Sequence, residues 1–485
     1  MRLLRLVFMA GLVLVLATGT ADWARAGFKG QDKILDPGLV DQTAKGGQLA
    51  RVIVLLRGYE DLKEVDFKGS QSLFEQHQLA AAQVQDKVLA NLAPAQGRVS
   101  RRFDFLRALA LEVDRAGLES LAAMDQVAAI EEDFEQELMT AQGIALMNPG
   151  QFRSADGGTG VAVAVVDSGV NYRHPGLGGG GFPNAKVIGG FDLGNQDQDP
   201  MDVNLHGTAC AGIVAGIDTG QGTYIGGVAP QAKLYALKVC TDAGKILTSA
   251  LVAAWEWVLK HQNDDPSHPI MIISQSIGTK IHFQSHCDQV HNKFRAAAIL
   301  AQSLVNNGIA IFVASGNERQ TNGISYASCL KDTISVGAVY DEDMKPAHCD
   351  QGGRTRDRVT CYSNSARILD LLAPSECAYT PSLKTPYVRC FNGTSAACPY
   401  AAGAAAVIQS HFKKTRGRFL TVAQLKRRLI LSGDPVVDPK SGVTTPRINL
   451  ARAISQAGRV GEDGPGGDQS PVDKLREIIR DSKKQ

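Results

Sequence analysis

Apolar runs alternate with small-residue or amphipathic segments through most of the chain after residue 150. A short apolar run rich in Val and Ile, without polar alternation, is typical of a strand buried on both faces. The predicted strands are residues 161–166, 234–239, 270–274, 309–314 and 333–336. The predicted helices are residues 206–215, 247–261, 290–306, 395–411 and 422–431. This alternation favours an α/β fold, a doubly wound parallel sheet with helices on both faces.

A different pattern precedes it. Strands are predicted at residues 51–56 and 105–113, an amphipathic helix without Gly or Pro at 71–92, a short helix at 116–124, and a last strand at 127–130. This order fits a small βαββαβ-like α+β domain with its core at about residues 50–134. The alternative is an unrelated small domain or a linker.

The N-terminus has the pattern of an export signal. Arg2 and Arg5 precede an apolar run over residues 6–17, which is too short to span a bilayer. Ala24-Arg25-Ala26 fits an A-x-A cleavage site, so residues 1–26 are predicted to be a signal peptide. We therefore expect a secreted or extracellular protein, with the periplasm as the alternative compartment and an uncleaved anchor as the alternative to cleavage.

Composition excludes some classes of partner. The chain has 51 Lys and Arg against 49 Asp and Glu, so no basic surface for nucleic acid is indicated. Beyond the signal, no stretch is apolar and long enough to predict a membrane partner. Residues 457–485 begin Gly-rich and predict a flexible C-terminal tail.

Three reactive side chains follow or precede these predicted elements. Asp167 ends the strand run at 161–166, where open α/β sheets place their sites. His206 opens the segment HGTACAG, and Ser395 lies in NGTSAACP, each before a small-residue helix. A helix start presents unpaired N–H groups and the positive end of the dipole, which favour a developing negative charge. Alone, the Ser395 segment is more typical of a buried small-residue helix with a Ser or Thr cap than of a reactive site.

The three segments together resemble the subtilisin-like serine proteases, or subtilases. DSG, HGTACAG and GTSAACP follow in the family's order Asp, His, Ser. The segments GGVAP, LYALKV, SIG, ASGN, SVGAV and LLAP lie between them, and the resemblance covers roughly residues 150–455.

The resemblance implies a set of site residues. Asp167, His206 and Ser395 are the expected catalytic triad, and Asn317 the expected side-chain donor of the oxyanion hole. Ser276, Ile277 and Gly278 are expected to pair with the extended substrate backbone. Glu318, which follows Asn317 in the sequence, is expected either at the rim of the specificity pocket or simply in solvent. These residues imply protein or peptide substrates and no metal in the site.

No cofactor is expected for the chemistry. The acidic loop over residues 191–203 contains oxygen ligands of the kind that calcium prefers, but no spaced ligand pattern. A structural calcium ion is therefore left open and unassigned.

The resemblance also implies a domain organisation. Residues 27–140 are expected to be a propeptide that acts as an intramolecular inhibitor, cut off between Glu137 and Ala141. Residues 141–456 would be the catalytic domain of a monomer. The implied function is a secreted endopeptidase made as a self-cleaving zymogen. The alternatives are a catalytically silent binding or scaffold protein, and a peptide ligase or macrocyclase.

The nine cysteines are an odd number, so at least one must stay free. The pairings that we expect are Cys287–Cys329, Cys349–Cys361 and Cys377–Cys390, although sequence does not fix connectivity. Cys210 and Cys398 lie in small-residue helix starts and are expected to be buried thiols; Cys240 is unassigned.

Overall fold

The computed structural model describes residues 28–35, 38–44, 49–59, 71–103, 107–132, 140–220, 222–288, 295–344, 349 and 353–455. The chain divides into two compact units after Glu137, and each is described by itself. The predicted signal peptide and tail lie outside the described residues. Within the described ranges, no helix has both the length and the apolar character needed to cross a membrane.

The first unit is a four-stranded antiparallel sheet with three helices, of which α2 is the longest. Its elements are α1 (Gly38–Ala44), β1 (Ala50–Leu56), α2 (Gln71–Ala90), β2 (Gly97–Arg102), β3 (Ala108–Val113), α3 (Arg115–Ala123) and β4 (Val127–Glu132). The strand order is β2-β3-β1-β4. Alternate residues of β1 are buried, as expected for a sheet with one covered face. From β1 to β4 the order is βαββαβ, as predicted, although the polar strand β2 was not among the predicted strands.

The second unit contains the remaining elements. Its helices are α4 (Thr140–Leu146), α5 (Phe152–Ala155), α6 (His206–Ala215), α7 (Thr248–His261), α8 (Arg295–Asn306), α9 (Thr394–Arg416), α10 (Val422–Ser432) and α11 (Leu450–Ser455). Its strands are β5 (Ala162–Asp167), β6 (Val187–Asp192), β7 (Lys233–Lys238), β8 (Ile270–Gln275), β9 (His282–Phe283), β10 (Ala310–Ala314), β11 (Ile324–Ser325), β12 (Ile334–Val339), β13 (Leu371–Pro374), β14 (Ala378–Pro381), β15 (Tyr387–Phe391), β16 (Asp434–Val437) and β17 (Thr444–Arg447).

Nine of these strands form one sheet, in the order β16-β17-β13-β12-β10-β8-β5-β7-β6. All neighbours from β17 to β6 are parallel, and β16 adds an antiparallel edge. Central strands are buried on both faces: Val163 and Val165 pack in the layer of α6 and α9, while Ala164 and Val166 pack in the layer of α7 and α8. The predicted doubly wound α/β fold is confirmed.

Small residues set the spacing of the two helices that begin at the site. A Cβ atom on Gly403 of α9 would lie 2.6 Å from the Val228 side chain, and one on Gly207 of α6 would lie 3.0 Å from Asp167 Cβ and overlap the Gly169 carbonyl. We call Gly207 and Gly403 the small-residue seam. Because neither position has room for a methyl group, Gly207 fixes how closely α6 approaches the end of β5, and Gly403 fixes how closely α9 approaches α6 and Val228.

The cysteine prediction agrees with the structure. Disulfides join Cys287 to Cys329, Cys349 to Cys361, and Cys377 to Cys390. The thiols of Cys210, Cys240 and Cys398 are free and buried.

Candidate active site

The candidate site lies at the carboxyl edge of the large sheet. The strands β10, β8 and β5 are neighbours there, and Asn317, Ser276 and Asp167 lie at or just beyond their last residues. Two helices begin at the same edge, α6 with His206 and α9 with Thr394 and Ser395. Parallel strands end on one side of a sheet, so residues far apart in sequence meet there.

Asp167 and His206 are in direct contact. Asp167 Oδ1 lies 2.7 Å from His206 Nδ1 and also accepts a hydrogen bond from the Ser168 backbone N–H. The Asp167 side chain is 2% exposed and the His206 side chain 31%. Burial alone would lower the pKa of the imidazole, but the Asp167 carboxylate outweighs it and raises this pKa well above its ordinary value. The carboxylate therefore fixes the ring's orientation and favours its cationic form.

A second buried carboxylate, Asp202, holds the turn that precedes α6. It accepts hydrogen bonds from Ser168 Oγ at 2.9 Å, from Thr208 Oγ1 at 2.6 Å and from the backbone N–H of Thr208 at 2.9 Å. Leu205, just before His206, has φ 92°, a costly conformation for a non-Gly residue. The sequence placed Asp202 only in an acidic loop, so this role was missed.

Ser395 is the second residue of α9 and is half-buried. Its carbonyl accepts hydrogen bonds from Ser276 Oγ at 3.0 Å and from Cys210 Sγ at 3.4 Å. Cys210 lies one turn after His206 in α6, with Sγ 3.9 Å from the imidazole Nδ1. One thiol thus touches both the residue that carries the hydroxyl and the residue that carries the imidazole.

Asn317 has a defined orientation. Its Oδ1 accepts hydrogen bonds from the Thr394 backbone N–H at 2.8 Å and from Thr394 Oγ1 at 3.0 Å. The oxygen is therefore turned toward the start of α9, which leaves the Nδ2 donors for another acceptor. Asn317 is exposed, and Gly393, with φ 85°, passes next to its amide group.

Side chains of the preceding loops hold the backbone at Gly393, just before Ser395, by hydrogen bonds. Tyr362 Oη accepts a hydrogen bond from the Gly393 N–H at 3.3 Å and donates one to Glu376 Oε2 at 3.0 Å. Ser375 Oγ donates to the Gly393 carbonyl at 2.7 Å. None of these supports was predicted, because they depend on loop packing rather than on a motif.

The hairpin of β14 and β15 covers one side of His206. The Phe391 ring lies edge-on to the imidazole with centroids 5.3 Å apart. The disulfide Cys377–Cys390 links the hairpin's two arms immediately before this contact.

Ser276, Ile277 and Gly278 follow β8 toward the surface: Ser276 is buried, Ile277 half-buried and Gly278 exposed. Beyond them, His282 Nε2 lies 3.0 Å from Glu318 Oε2, to which Asn364 Nδ2 also donates at 2.7 Å. Burial opposes the change, but these two donors lower the pKa of Glu318. Glu318 is exposed but held by neighbouring side chains, and is not simply in solvent.

The acidic loop offers little to a cation. Asp192 accepts from Lys238 Nζ and from two backbone N–H groups, and Asp199 accepts from Tyr172 Oη at 2.7 Å. Since these carboxylates are already engaged by protein donors, the described part of the loop shows no calcium ligand set.

Within the described residues, Asp167, His206 and Cys210 are the one group of three or more His, Cys, Asp and Glu whose ligand atoms all lie within 4.8 Å of one another. Burial raises the pKa of the Cys210 thiol to about 11, so it is a neutral thiol near neutral pH. The group is explained by the Asp167–His206 contact and needs no metal.

Comparison with known proteins agrees with this geometry. The sequence profile of the subtilase family matches residues 158–446. Subtilisin E of Bacillus subtilis (strain 168) is 29% identical over 322 residues, 65% of this chain and 73% of that protein. The serine protease AprX of the same organism is 32% identical over 267 residues, 52% and 57% of the two chains. The intracellular serine protease of Paenibacillus polymyxa is 30% identical over 282 residues, 56% and 74%. Because the family profile covers more than half of the 485 residues, the chain belongs to the subtilase family of serine peptidases.

Proposed function

We propose that the protein is a secreted serine endopeptidase that cuts peptide bonds through an acyl-enzyme, with Asp167, His206 and Ser395 as its triad. The observation that carries the proposal is the 2.7 Å contact between Asp167 and His206, beside the helix start that holds Ser395. A serine hydroxyl becomes an effective nucleophile only when a base takes its proton.

In this mechanism Ser395 Oγ attacks the substrate carbonyl and His206 accepts the hydroxyl proton. His206 then gives the proton to the leaving amine, while Asp167 stabilises the imidazolium. Water repeats the attack on the acyl group and releases the acid. The bond broken in the first half is the peptide C–N bond, and the bond formed is the ester to Ser395.

The negative oxygen of the intermediate needs donors. Asn317 Nδ2 is one, because Thr394 already engages Oδ1. The Ser395 backbone N–H is the other, since the first N–H groups of a helix have no acceptor within it. Ser276, Ile277 and Gly278 would align the substrate by main-chain pairing.

We further propose that residues 1–26 direct export and that residues 27–140 are a propeptide removed by self-cleavage, which leaves residues 141–456 as the catalytic domain. The βαββαβ unit before Glu137 supports this order. One relative is itself named an intracellular protease, so export rests on the predicted signal peptide.

The test compares wild type with Ser395→Ala and His206→Ala. Each change should lower kcat on a peptide substrate about a millionfold, the loss measured for the same roles in subtilisin. Mass spectrometry of the exported protein should show a shortened chain for wild type and an uncut one for Ser395→Ala. Near-normal hydrolysis by Ser395→Ala would refute the assignment.

A fluorophosphonate probe separates the alternatives. It should label wild type at Ser395, whereas a silent scaffold protein would stay unlabelled. A ligase would also be labelled. With an added amine, however, its product would have the mass of the acyl fragment joined to that amine and not the mass of the free acid.

A further inference from the structure

Asp341 is a buried carboxylate that the catalytic machinery does not use. It lies two residues beyond β12 and is 1% exposed. Neither of its carboxylate oxygens has a hydrogen-bond partner among the residues that the structure describes. An unpaired buried charge is costly, and burial raises the pKa of Asp341 well above its ordinary value.

A third unpartnered oxygen lies in the same place. Tyr400 Oη, on the first turns of α9, is fully buried and also lacks a partner in the described part of the chain. Gly143 of α4 covers both groups: a Cβ atom on it would lie 2.6 Å from Tyr400 Oη and 3.1 Å from Asp341 Oδ2. Asp341 Oδ2 and Tyr400 Oη, which can each accept a hydrogen bond, therefore both lie close to Gly143 in α4.

The chemistry of these two side chains suits an ammonium group. An ammonium has one positive charge and three donors, which match one carboxylate and one phenol oxygen. A calcium ion needs six to eight oxygen ligands, and in the described ranges Asp341 belongs to no group of three or more His, Cys, Asp and Glu residues whose ligand atoms lie close together. Glu342 and Glu376 nevertheless act on Asp341 as further negative charges, which favours a cation there.

The nearest source of such a group is the chain itself. We propose that maturation leaves Ala141 as the first residue and that its α-ammonium binds the Asp341 carboxylate and Tyr400 Oη. Ala141 lies in the first turn of α4, two residues before Gly143, and one helical turn rises only about 5.4 Å, so the new terminus forms next to these side chains. The inference rests on the proposed self-cleavage of the propeptide. It adds a contact that only the cut chain can make.

A charged α-ammonium held in this way would stabilise the mature chain and not the precursor. Before cleavage, burial and then the charges of Glu342 and Glu376 raise the pKa of Asp341, against the smaller opposing effects of its own backbone N–H and of Arg356. When the pKa of a carboxyl is higher in the folded protein than in the unfolded chain, the free energy of unfolding falls as pH rises above the unfolded pKa, which is about 4 for Asp. Cleavage should remove that loss, so Tm of the cut chain should exceed that of the uncut chain increasingly from about pH 4 to pH 7.

The experiment does not depend on catalysis. In the full chain carrying Ser395→Ala, residues 136–140 are replaced by the recognition sequence of an added endopeptidase that leaves Ala141 as the first residue. The cut protein is then treated with formaldehyde and borohydride, and methylation of the α-amino group is followed by mass spectrometry, folded and unfolded.

We expect the folded α-amino group to react at least tenfold more slowly than the unfolded one. Asp341→Asn should abolish this protection, Tyr400→Phe should reduce it, and Asp343→Asn, an exposed carboxylate in the same turn, should leave it unchanged. Equal rates in the folded and unfolded protein would overturn the proposal, and this comparison needs no variant at Asp341.

The wild-type protein gives the second arm. Its mature chain should begin at Ala141, and a different first residue also overturns the proposal. A wild type that hydrolyses no peptide contradicts the proposed function and not this contact. The methylation rates of the cut Ser395→Ala chain then still test the contact, because that experiment needs no catalysis.

Discussion

Asp167 and Asp341 make an informative pair. Both are almost fully buried, and both lie at the carboxyl end of a parallel strand of the same sheet, β5 and β12. Asp167 receives a backbone N–H and an imidazole, because the start of α6 brings His206 to it. Asp341 receives nothing from the described residues. The strand end supplies the carboxylate, but the element packed against it decides what the carboxylate does.

The sharpest test of this contrast is to neutralise each carboxylate without changing its shape. Asp167→Asn should lower kcat about ten-thousandfold, because the amide favours the wrong imidazole tautomer. Asp341→Asn should leave kcat within a few-fold at low temperature and lower Tm instead. Steady-state kinetics and thermal melts of the two variants, side by side, measure both effects.

The pH profile provides a control for the first variant. His206 must be neutral to act as a base, and Asp167 raises its pKa, so wild-type kcat/KM should rise with pH through that raised value. In Asp167→Asn the same limb should move to lower pH. The stabilisation from the Asp167–His206 pair has the opposite trend: it is complete below about pH 6.5 and is lost as pH rises through the raised pKa. If the pH dependence of kcat/KM is the same in Asp167→Asn as in wild type, the contact with Asp167 is not what raises the pKa of His206.

A smaller effect is expected at Asn317, a neutral side chain just beyond the end of β10, the strand beside β12. Asn317→Ala should lower kcat about a hundred- to a thousandfold with little change in KM, since its amide would act on the oxyanion and not on the bound substrate. The exposed Asn307→Ala, at the other end of the same strand, is the matched control. An equal loss in both variants would argue for a general loss of folding.

The smallest effect is expected at Cys210. Its thiol touches both sides of the site, yet burial keeps it neutral, with a pKa of about 11. Cys210→Ala should therefore leave kcat within a few-fold and the pH limb in place. A large loss would mean that the thiol, and not Asp167 alone, sets the environment of His206.

Much of the second unit follows from sequence because its strands are continuous apolar runs. The predicted strand at 161–166 and helix at 206–215 match β5 and α6 closely. Strands β6, β13, β16 and β17 were missed: β6 contains two glycines, β16 and β17 each contain a proline, and β13 is only four residues long. Their pairing comes from the tertiary sheet and not from local propensity. The predicted helix at 290–306 begins at Arg295, and residues 290–294 lie outside the described ranges.

Supporting groups at the site were harder to predict. Asp202 and Asp341 are acidic residues in polar stretches, which in a sequence favours a solvated loop. Both are buried: Asp202 against Ser168 and the adjacent start of α6, and Asp341 in the tertiary packing beyond β12. The roles of Tyr362 and Ser375 likewise arise only once β13 lies beside the loop before Gly393. Motifs identify the side chains that react, whereas burial by remote segments determines which other side chains hold them in place.

The small-residue seam has a consequence for how such an enzyme could diversify. The helices that carry His206 and Ser395 have no spare volume at Gly207 or Gly403, so their geometry tolerates almost no side-chain variation. The contact between His282 and Glu318, two side chains near the surface, lies outside this packing. A larger residue at Gly207 or Gly403 would displace a helix that carries a reactive side chain, whereas a change at Glu318 would leave both helices in place.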